Sequence, residues 1–389
     1  MRIALIVIDS GGIGAAPDAR FFGDEGANTL EHVAAEEPTL SLPHLAAMGL
    51  NRLIFLPRDD QVALKGVAYA MIPQSRGKDT LAGHWEMMGI TIDKPFETFP
   101  EGFPDSVLTL VESVVKRPTL GNEVASGTEI INRLGDVHKQ TGFPIVYTSA
   151  DSVLQIAAHE DTIPPQMLYQ WCTDLRQALD QSSYRIGRVI ARPFVGEKGQ
   201  YLRTPRRHDF TIRPPGPTIL NGLFEKGIET IAVGKIGDIF SNQGLTRHLA
   251  SQSNLDGLEI TLDTLAHARS DTFVFTNLVE FDSHYGHRRN PSGYAQALKE
   301  LDNFLPMLWH TLGESDQLWI TADHGCDPTF KGTDHTRERV PWLAYGPKLK
   351  PWMGATRLGF GDIGATLAAL WKVPYPFPGV PAKDLIIRE

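Results

Sequence analysis

Four apolar runs restrict the fold of this chain more than any other feature of its sequence. They are Ile3–Ile8, Thr230–Val233, the stretch from Phe273 through Phe281, and Leu318–Ala322. Runs that are apolar on both faces are typical of strands buried in a mostly parallel sheet, which predicts an α/β fold. Three of the runs lead directly into Asp9, Asp282 and Asp323. Because ligands of such sheets lie beyond the carboxyl ends of the strands, we expect these aspartates to meet at one edge.

The sequence changes in character between residues 97 and 216. Turn-rich segments at 95–104 and 213–217 flank this stretch, and a chain of 389 residues is long enough for two domains. We therefore predict a core domain from residues 1–96 and 217–389 and a smaller inserted α/β domain at 97–216.

Two amphipathic helices are predicted inside the insert. The first has its apolar stripe at Ile130, Ile131, Leu134 and Val137, with Ser126 or Thr128 as N-cap and Gly142 beyond its end. The second has its stripe at Leu168, Trp171, Cys172, Leu175 and Leu179. Such stripes usually pack in a core, so we assign them no chemistry.

Carboxylates and histidines follow the predicted strand ends in a pattern typical of metal sites. His324 follows Asp323, His335 lies eleven residues further on, and His287 lies shortly after Asp282 beside a permissive Gly286. Oxygen and imidazole ligands together suit Mn, Zn or Fe(II). The six candidate ligands are Asp9, Asp282, His287, Asp323, His324 and His335. Six are too many for one tetrahedral ion and suit a metal pair for displacement at phosphorus, while a single-ion site is the alternative.

Thr80 is the candidate nucleophile. It opens a Thr-x-x-Gly-His pattern that ends at His84, in a segment where a helix is expected to start. A threonine hydroxyl is a weak nucleophile unless a metal ion activates it, and helix-start amides favour phosphate. Without metal ligands nearby, Thr80 would be an ordinary N-cap residue.

A basic segment stands out in a chain whose net charge is −9. Between residues 185 and 213 there are seven arginines and Lys198 but only two acidic residues, Glu197 and Asp209. The local net charge is therefore +6. Guanidinium groups suit bidentate contact with phosphate oxygens, so we expect this segment to act as a lid over a small phosphorylated substrate. A solvated basic surface is the alternative.

Several other classes of function are disfavoured. The glycines after Asp9 lack the third glycine of a dinucleotide fingerprint, since Pro17 stands there, and no Walker A motif occurs. The negative charge and the few aromatics in the basic segment disfavour nucleic acid. No stretch has the length of a transmembrane helix, and two cysteines favour a reduced, cytoplasmic setting.

The motifs taken together resemble the bacterial phosphopentomutases of the alkaline phosphatase superfamily. In chain order, the resemblance rests on residues 9–14, 78–86, 125–131, 147–153, 188–194, 207–209, 234–240, 285–289 and 332–338. The metal motifs alone are shared with cofactor-independent phosphoglycerate mutases and phosphatases. The motifs of the insert favour the pentose enzymes.

This resemblance implies an alkaline-phosphatase-like core with an inserted cap domain and an intramolecular phosphotransferase activity. The implied reaction interconverts α-D-ribose 1-phosphate and D-ribose 5-phosphate, and the 2-deoxy pair, through a 1,5-bisphosphate. It implies phosphothreonine at Thr80, primed by a bisphosphorylated sugar, and two Mn²⁺ ions. Asp282, His287 and His335 would hold one ion, and Asp9, Asp323, His324 and the nucleophile Thr80 would approach the other. The implied substrate contacts are Ser149, Asp151, Arg188, Arg192, Arg203, Arg207 and Lys235.

Three residues depart from the family pattern. Ala82 stands where a second threonine is usual, Asn290 where aspartate is common, and Cys326 where asparagine is usual. None is a proposed ligand or the nucleophile. A metal-dependent phosphomonoester hydrolase and a phosphoglycerate-mutase-like enzyme are the alternative functions, and a non-catalytic sugar-phosphate binder is a third.

Overall fold

The computed structural model describes residues 1–149 and 151–386. They form two compact units, one from residues 1–94 and the chain from 214 onward, and the other from residues 95–213. Ala150, which belongs to the Tyr147–Val153 motif, lies outside the described residues.

The helices and strands follow one another in an alternating order. The first unit begins with β1 (Arg2–Ile8), α1 (Thr29–Glu36), α2 (Pro43–Met48), β2 (Val67–Met71) and α3 (Thr80–Met87). The second unit contains α4 (Asp105–Val115), β3 (Leu120–Val124), α5 (Gly127–Thr141), β4 (Ile145–Thr148), β5 (Val153–His159), α6 (Pro165–Asp180), β6 (Arg188–Val195), β7 (Leu202–Arg203) and β8 (His208–Thr211). The first unit resumes with α7 (Ile219–Glu225), β9 (Glu229–Val233), α8 (Ile236–Ile239), β10 (Arg247–Leu249), α9 (Asn254–His267), β11 (Thr272–Leu278), α10 (Pro291–Thr311), β12 (Gln317–Ala322), β13 (Val340–Tyr345), β14 (Trp352–Met353) and α11 (Gly361–Trp371).

The first unit is built on an eight-stranded sheet in the order β10-β9-β11-β1-β12-β13-β2-β14. The five strands from β10 to β12 run parallel, β13 is antiparallel to both of its neighbours, and β14 is parallel to β2. The prediction of a mostly parallel sheet is confirmed. The runs expected as strands at Ile3–Ile8, Thr230–Val233 and Leu318–Ala322 form β1, β9 and β12.

The fourth predicted strand is shorter than the sequence indicated. We expected it to continue through Phe281, but β11 ends at Leu278, and one π-helical turn follows over Phe281–Gly286. The backbone N–H of Glu280 donates to Asn254 Oδ1 at 3.0 Å, and the backbone N–H of Asn254 donates to Glu280 Oε2 at 2.6 Å. This reciprocal pair ties the chain to the start of α9 instead of the sheet, an interaction that an apolar run cannot reveal.

Alternation along β11 shows how the first unit is layered. Val274 belongs to the core that includes Leu258 and Leu265 of α9. The rings of Phe273 and Phe275 lie on the other face, where Phe273 contacts Trp371 of α11 and Phe275 contacts His84 of α3. Helices therefore cover both faces of this sheet, as its predominantly parallel pairing requires.

The second unit contains a mixed sheet in the order β3-β4-β5-β6-β7, with β8 also paired to β6. Both predicted helices are present as α5 and α6, and all five apolar residues of the α6 stripe are buried. Ser126 is the N-cap of α5 and Gly142 its C-cap, so Thr128 lies inside the helix. Val137 is exposed, so the apolar stripe of α5 is shorter than predicted.

Helix α3 packs unusually close to the end of β12. The side chain of its N-cap, Asp79, accepts a hydrogen bond from the backbone N–H of Ala82 at 3.1 Å, which stabilises the helix start. A Cβ atom at Gly83 would lie only 2.2 Å from the backbone oxygen of Asp323. Glycine is therefore required at position 83 for this approach.

We expect Gly83→Ala to destabilise the fold and to loosen the residues around Asp323. The added methyl group would meet backbone atoms, and overpacking of this kind costs about 1–3 kcal/mol. Gly257→Ala is the matched control, because a Cβ there has its nearest neighbour at 3.4 Å, within a helix. Urea unfolding should show a lower free energy of unfolding for Gly83→Ala and an unchanged or higher one for Gly257→Ala. A Gly83→Ala chain as stable as the wild type would contradict this interpretation.

Candidate metal centre

Strand register brings Asp9 and Asp323 side by side. Ile8 at the end of β1 pairs with Ala322 at the end of β12 in parallel register, so the next residue of each strand leaves the sheet at the same edge. Both aspartates are buried. Residues more than 300 positions apart in sequence are thus neighbours.

The π-helical turn after β11 supplies Asp282, and His287 follows directly. His287 Nε2 lies 3.2 Å from Asp282 Oδ2, and its Nδ1 lies 2.7 Å from the backbone oxygen of Thr333. The carbonyl fixes the ring orientation and leaves Nε2 directed at the aspartate. Second partners of this kind commonly orient histidine ligands.

A two-stranded bridge places His335 beside His324. Gly325 and Thr336 exchange backbone hydrogen bonds at 3.2 and 2.8 Å, which folds the intervening loop back on itself. The ring centroids of His324 and His335 are 4.0 Å apart. His335 Nε2 lies 3.4 Å from Asp282 Oδ1, so this loop joins the two parts of the site.

All six ligand candidates predicted from the sequence lie in one continuous cluster. The ligand atoms of Asp9, Asp323 and His324 lie within 4.8 Å of one another, and so do those of Asp282, His324 and His335. His287 joins through Asp282. Within the described residues, Cys326 forms a further group with Asp282 and His287.

Several buried ligand atoms of this cluster make no hydrogen bond, and this suits the cluster to a cation. Asp9 Oδ1, Asp282 Oδ1, Asp323 Oδ2 and His335 Nε2 are buried and make no hydrogen bond. Buried polar atoms without partners are costly, and three carboxylates in one desolvated site repel one another. Oxygen and imidazole nitrogen are ligands that divalent transition metals accept. The donor set therefore suits one or more such ions.

Thr80 lies at the edge of the cluster. It is the first residue of α3, and its hydroxyl oxygen lies 3.3 Å from His324 Nε2. The N-cap is Asp79, so Thr80 does not fill that structural role. This placement leaves its hydroxyl available beside the ligand candidates.

Two further residues contact the ligands and were not assigned a role from the sequence. His84 Nδ1 lies 2.9 Å from the backbone oxygen of Thr80 and 3.1 Å from Asp323 Oδ2. The Asn277 side-chain amide donates to Asp9 Oδ2 at 3.2 Å and lies 3.4 Å from His84 Nε2. The signals were a histidine four residues after Thr80 on a helix and an amide inside an otherwise apolar strand.

The structure shows the contacts of the residues that depart from the family pattern at positions 290 and 326. Asn290 is the N-cap of α10, and its side chain accepts from the backbone N–H of Gly293 at 3.0 Å. The Cys326 sulfur is buried, 3.8 Å from His287 Nδ1 and 3.7 Å from the backbone oxygen of Asp334. Ala82 is buried within α3.

Charges in the cluster shift the pKa values of its members. Burial raises the pKa of Asp9, and the Asp323 carboxylate raises it further. Burial acts to raise the pKa of Asp323 as well, but the imidazoles of His324 and His84 lower it to about 2. Burial acts to lower the pKa of His324, whereas the Asp323 and Asp9 carboxylates raise it to about 10. Without metal, a proton on His324 thus offsets part of the buried negative charge.

The predicted substrate contacts are divided between the two units. Lys235 lies in the first unit, at the start of α8. Ser149, Asp151 and the four arginines lie in the second. There Arg207 forms a bidentate pair with Asp209 at 2.6 Å for both bonds, and Arg188 lies 3.4 Å from Asp151 and 3.8 Å from Asp209.

Comparison with known proteins decides the family. Residues 1–375 match the metalloenzyme superfamily. The phosphopentomutase of Thermotoga maritima is 47% identical over 389 residues, covering 99% of this chain and 100% of that protein. That of Desulfitobacterium hafniense is 49% identical over 369 residues, covering 94% of this chain and 95% of that protein. This chain belongs to the phosphopentomutase family.

Family membership makes the chain an isomerase of the metalloenzyme superfamily, a membership that implies dependence on a divalent metal. It also confirms the alkaline-phosphatase-like fold class. Among solved structures, a phosphoglycerate mutase of Leishmania mexicana aligns over 97% of this chain and 96% of that one, with 13% identity and a TM-score of 0.46. In residues 1–149 and 151–386, no helix combines the length and apolar character needed to cross a bilayer.

Metal binding to this phosphopentomutase-family chain should release a proton from His324. The release is expected between pH 6.5, which is the ordinary pKa of histidine, and about pH 10, which is the raised pKa of His324. Metal affinity should therefore rise with pH across that window. In the metal-free chain, the raised pKa contributes stability that is full below pH 6.5 and is lost as the pH approaches 10. Titration calorimetry at pH 8 in buffers of different ionisation enthalpy measures the released proton. Binding without proton release would show that His324 is neutral in the metal-free protein.

Proposed function

We propose that this chain interconverts α-D-ribose 1-phosphate and D-ribose 5-phosphate, and the 2-deoxy pair, through phosphothreonine at Thr80. The observation that supports this most directly is the Thr80 hydroxyl, 3.3 Å from His324 Nε2 at the edge of a buried cluster of six ligand candidates. The relatives described above carry the name of this activity. A cytoplasmic location is part of the proposal.

Two Mn²⁺ ions are the proposed cofactor. Asp282, His287 and His335 would hold one ion, and Asp9, Asp323 and His324 would hold the other, with Thr80 beside it. Such a pair, when bound, supplies charge that activates a hydroxyl and stabilises the transferring phosphoryl group. The buried ligand atoms of Asp9, Asp282, Asp323 and His335 that make no hydrogen bond support this assignment.

The proposed cycle conserves the phosphoryl groups. A bisphosphorylated sugar primes the enzyme: the Thr80 oxygen forms a bond to phosphorus, and the bond from phosphorus to the sugar oxygen breaks. The phosphoryl group then passes to O1 of ribose 5-phosphate, which yields ribose 1,5-bisphosphate and free Thr80. After the bisphosphate turns round, Thr80 takes the 5-phosphoryl group, and ribose 1-phosphate leaves. The proton lost by the attacking sugar hydroxyl returns to the departing sugar oxygen, and no water is consumed.

Residues around Thr80 are arranged to hold it in place during transfer. His84, one turn further along α3, contacts both the backbone oxygen of Thr80 and Asp323 Oδ2. The Asn277 amide holds Asp9 Oδ2, which leaves Asp9 Oδ1 directed into the cluster. We therefore assign His84 and Asn277 as positioning residues. Fixed geometry of this kind accounts for much of the rate of phosphoryl transfer.

The second unit is proposed to recognise the phosphorylated pentose. Ser149, Asp151, Arg188, Arg192, Arg203 and Arg207 are the proposed contacts there, and Lys235 is the proposed contact in the first unit. Arginine forks suit phosphate oxygens. The role of this unit as a lid that excludes water stays a prediction.

The fate of the phosphate on Thr80 separates the mutase from a phosphomonoester hydrolase, since both require a phosphothreonine there. Thr80→Ala should abolish transfer without loss of metal, because the hydroxyl lies beside the ligand set and not within it. In the wild type, priming with a bisphosphorylated hexose should raise the activity, and mass spectrometry should find one phosphate on Thr80. Phosphorus NMR should then show ribose 1-phosphate formed from ribose 5-phosphate. Rapid loss of the phosphate to water, with no 1-phosphate product, would favour the hydrolase.

Removing one ligand tests for two separate metal sites. His335→Ala should release one manganese ion per chain and retain the other, because Asp9, Asp323 and His324 stay intact. His284→Ala is the matched control, since His284 lies in the π-helical turn that supplies Asp282 but is exposed. Elemental analysis after manganese loading and desalting measures both variants. Equal metal content in wild type and His335→Ala would remove His335 from the ligand set.

A further inference from the structure

Arg337 holds the segment that joins β2 to α3. This segment, residues 72–79, forms no helix or strand. The guanidinium group of Arg337 donates hydrogen bonds to three of its carbonyl oxygens, those of Pro73 at 3.0 Å, Ser75 at 2.6 Å and Gly77 at 2.8 Å. Backbone polar groups outside regular structure need other partners. Here one side chain supplies three of them.

Every donor of this guanidinium group has a partner. Nε and one N–H of Nη2 donate to the Asp18 carboxylate at 3.0 and 2.9 Å, and the remaining N–H groups donate to the three carbonyl oxygens. The Phe22 ring lies against the group, with its centroid 4.9 Å from Cζ. The Arg337 side chain is only 3% exposed. Because the donors of arginine form a rigid planar fork, these bonds fix the segment as well as the side chain.

The backbone of Arg337 is anchored beside two of the ligand candidates. It lies two residues after His335, and its carbonyl oxygen accepts a hydrogen bond at 3.0 Å from the N–H of Ala16, in the loop that follows Asp9. Its own N–H donates to Asp24 Oδ2 at 2.8 Å. Arg337 therefore joins the stretches of chain that carry His335 and Asp9 to the segment that leads into α3.

A lysine makes a second connection between the same stretches of chain. Lys78 Nζ lies 3.0 Å from Asp24 Oδ2 and 3.1 Å from Asp334 Oδ2. Asp24 also accepts from the Arg337 backbone, and Asp334 directly precedes His335. Two charged side chains, one from each stretch, thus hold the start of α3 against the residues around His335.

Glu86 of α3 holds the amides of the segment. Its buried carboxylate accepts from the backbone N–H groups of Gln74 at 3.0 Å and Ser75 at 2.6 Å. Buried charged groups often add little net stability, but they can specify one backbone arrangement. The arrangement specified here places Thr80, the first residue of α3, beside His324.

We infer that Arg337 is a positioning residue for phosphoryl transfer, which holds the Thr80 hydroxyl at a fixed position beside the ligand cluster. The inference rests on the proposed function, in which Thr80 is the nucleophile. Arg337 acts through the backbone of residues 73–77, and the proposed sugar contacts are other residues. Because a displacement of about 1 Å can slow a reaction about a hundredfold, loss of Arg337 should slow transfer without weakening sugar binding.

Arg337→Lys tests this role, because lysine keeps the charge but has fewer donors and no planar fork. The manganese-loaded chain is mixed with a bisphosphorylated hexose, and mass spectrometry follows phosphorylation of Thr80 in a single turnover. The rate should fall about ten- to a hundredfold. The KM for ribose 5-phosphate and the manganese content should stay unchanged.

Arg176→Lys is the matched control. Arg176 is also a buried arginine that donates to a carboxylate, Asp180 Oδ1 at 2.8 Å, and to a carbonyl oxygen, that of Ile186 at 2.6 Å, but it lies in the second unit. This variant should lose stability in urea without slowing phosphorylation of Thr80. An unchanged rate in Arg337→Lys, or an equal loss of rate in both variants, would overturn the inference.

Asp18→Asn carries the test if Arg337→Lys fails to fold. The Asp18 side chain is 39% exposed, so the change leaves the buried contacts of Arg337 with the segment in place but removes the carboxylate that orients its fork. Phosphorylation of Thr80 should again slow at an unchanged KM. A folded Asp18→Asn chain with the wild-type rate would then contradict the inference.

Hydrogen exchange separates this inference from the proposed function. In the metal-free chain, Arg337→Lys should exchange the amides of residues 73–83 faster than the wild type, whereas Arg176→Lys should not. If the wild type forms no phosphothreonine but this difference is present, the proposed function fails and the positioning of α3 by Arg337 stands. If phosphothreonine forms equally fast in wild type and Arg337→Lys, the inference fails and the proposed function stands. Equal exchange in all three chains would also overturn the inference.

Discussion

Three carboxylates buried at one edge of a parallel sheet are the constraint on which the rest of this molecule depends. Asp9, Asp282 and Asp323 share a desolvated cluster, where like charges repel strongly. In the metal-free chain the repulsion is relieved in part by the raised pKa of His324, whose Nε2 lies 3.4 Å from Asp9 Oδ1 and 3.3 Å from Asp323 Oδ2. Divalent ions would relieve it more fully. Repulsion between these carboxylates therefore destabilises the metal-free chain, and metal binding and folding are linked through the cluster.

Close backbone packing fixes the proposed nucleophile, Thr80, beside these carboxylates. Gly83 lets α3 approach the backbone of Asp323, and His84 then bridges Thr80 and Asp323. The position of the Thr80 hydroxyl is thus set by close contacts within a buried helix and not by a mobile loop. A reaction that relies on positioning benefits from such rigidity.

Alternate side chains of the sheet in the second unit lie on opposite faces, one packed in the core and the other carrying arginines. In β6, Val189 and Ala191 belong to the core beneath α4 and α6, whereas Arg188 and Arg192 lie on the opposite face. On that face the arginines split into two kinds. Arg188 and Arg207 are neutralised by nearby aspartates, and Arg192 and Arg203 are not. The split explains why a run of basic residues, counted from sequence, overstates the charge available to a ligand.

Sequence by itself determined the strands β1, β9 and β12, the helices α5 and α6, and the identity of the six residues that the structure brings into one cluster. These features follow from local patterns: apolar runs, helical spacing, and ligand-type residues directly after a strand. Tertiary structure alone decided the end of β11 at Leu278, where Asn254 captures Glu280, and the contacts of His84 and Asn277. It also decided which arginines are paired, and it left the Tyr147 hydroxyl unpartnered. Each of these depends on which side chains meet across strands that are distant in sequence, and spacing along one chain does not encode such distances.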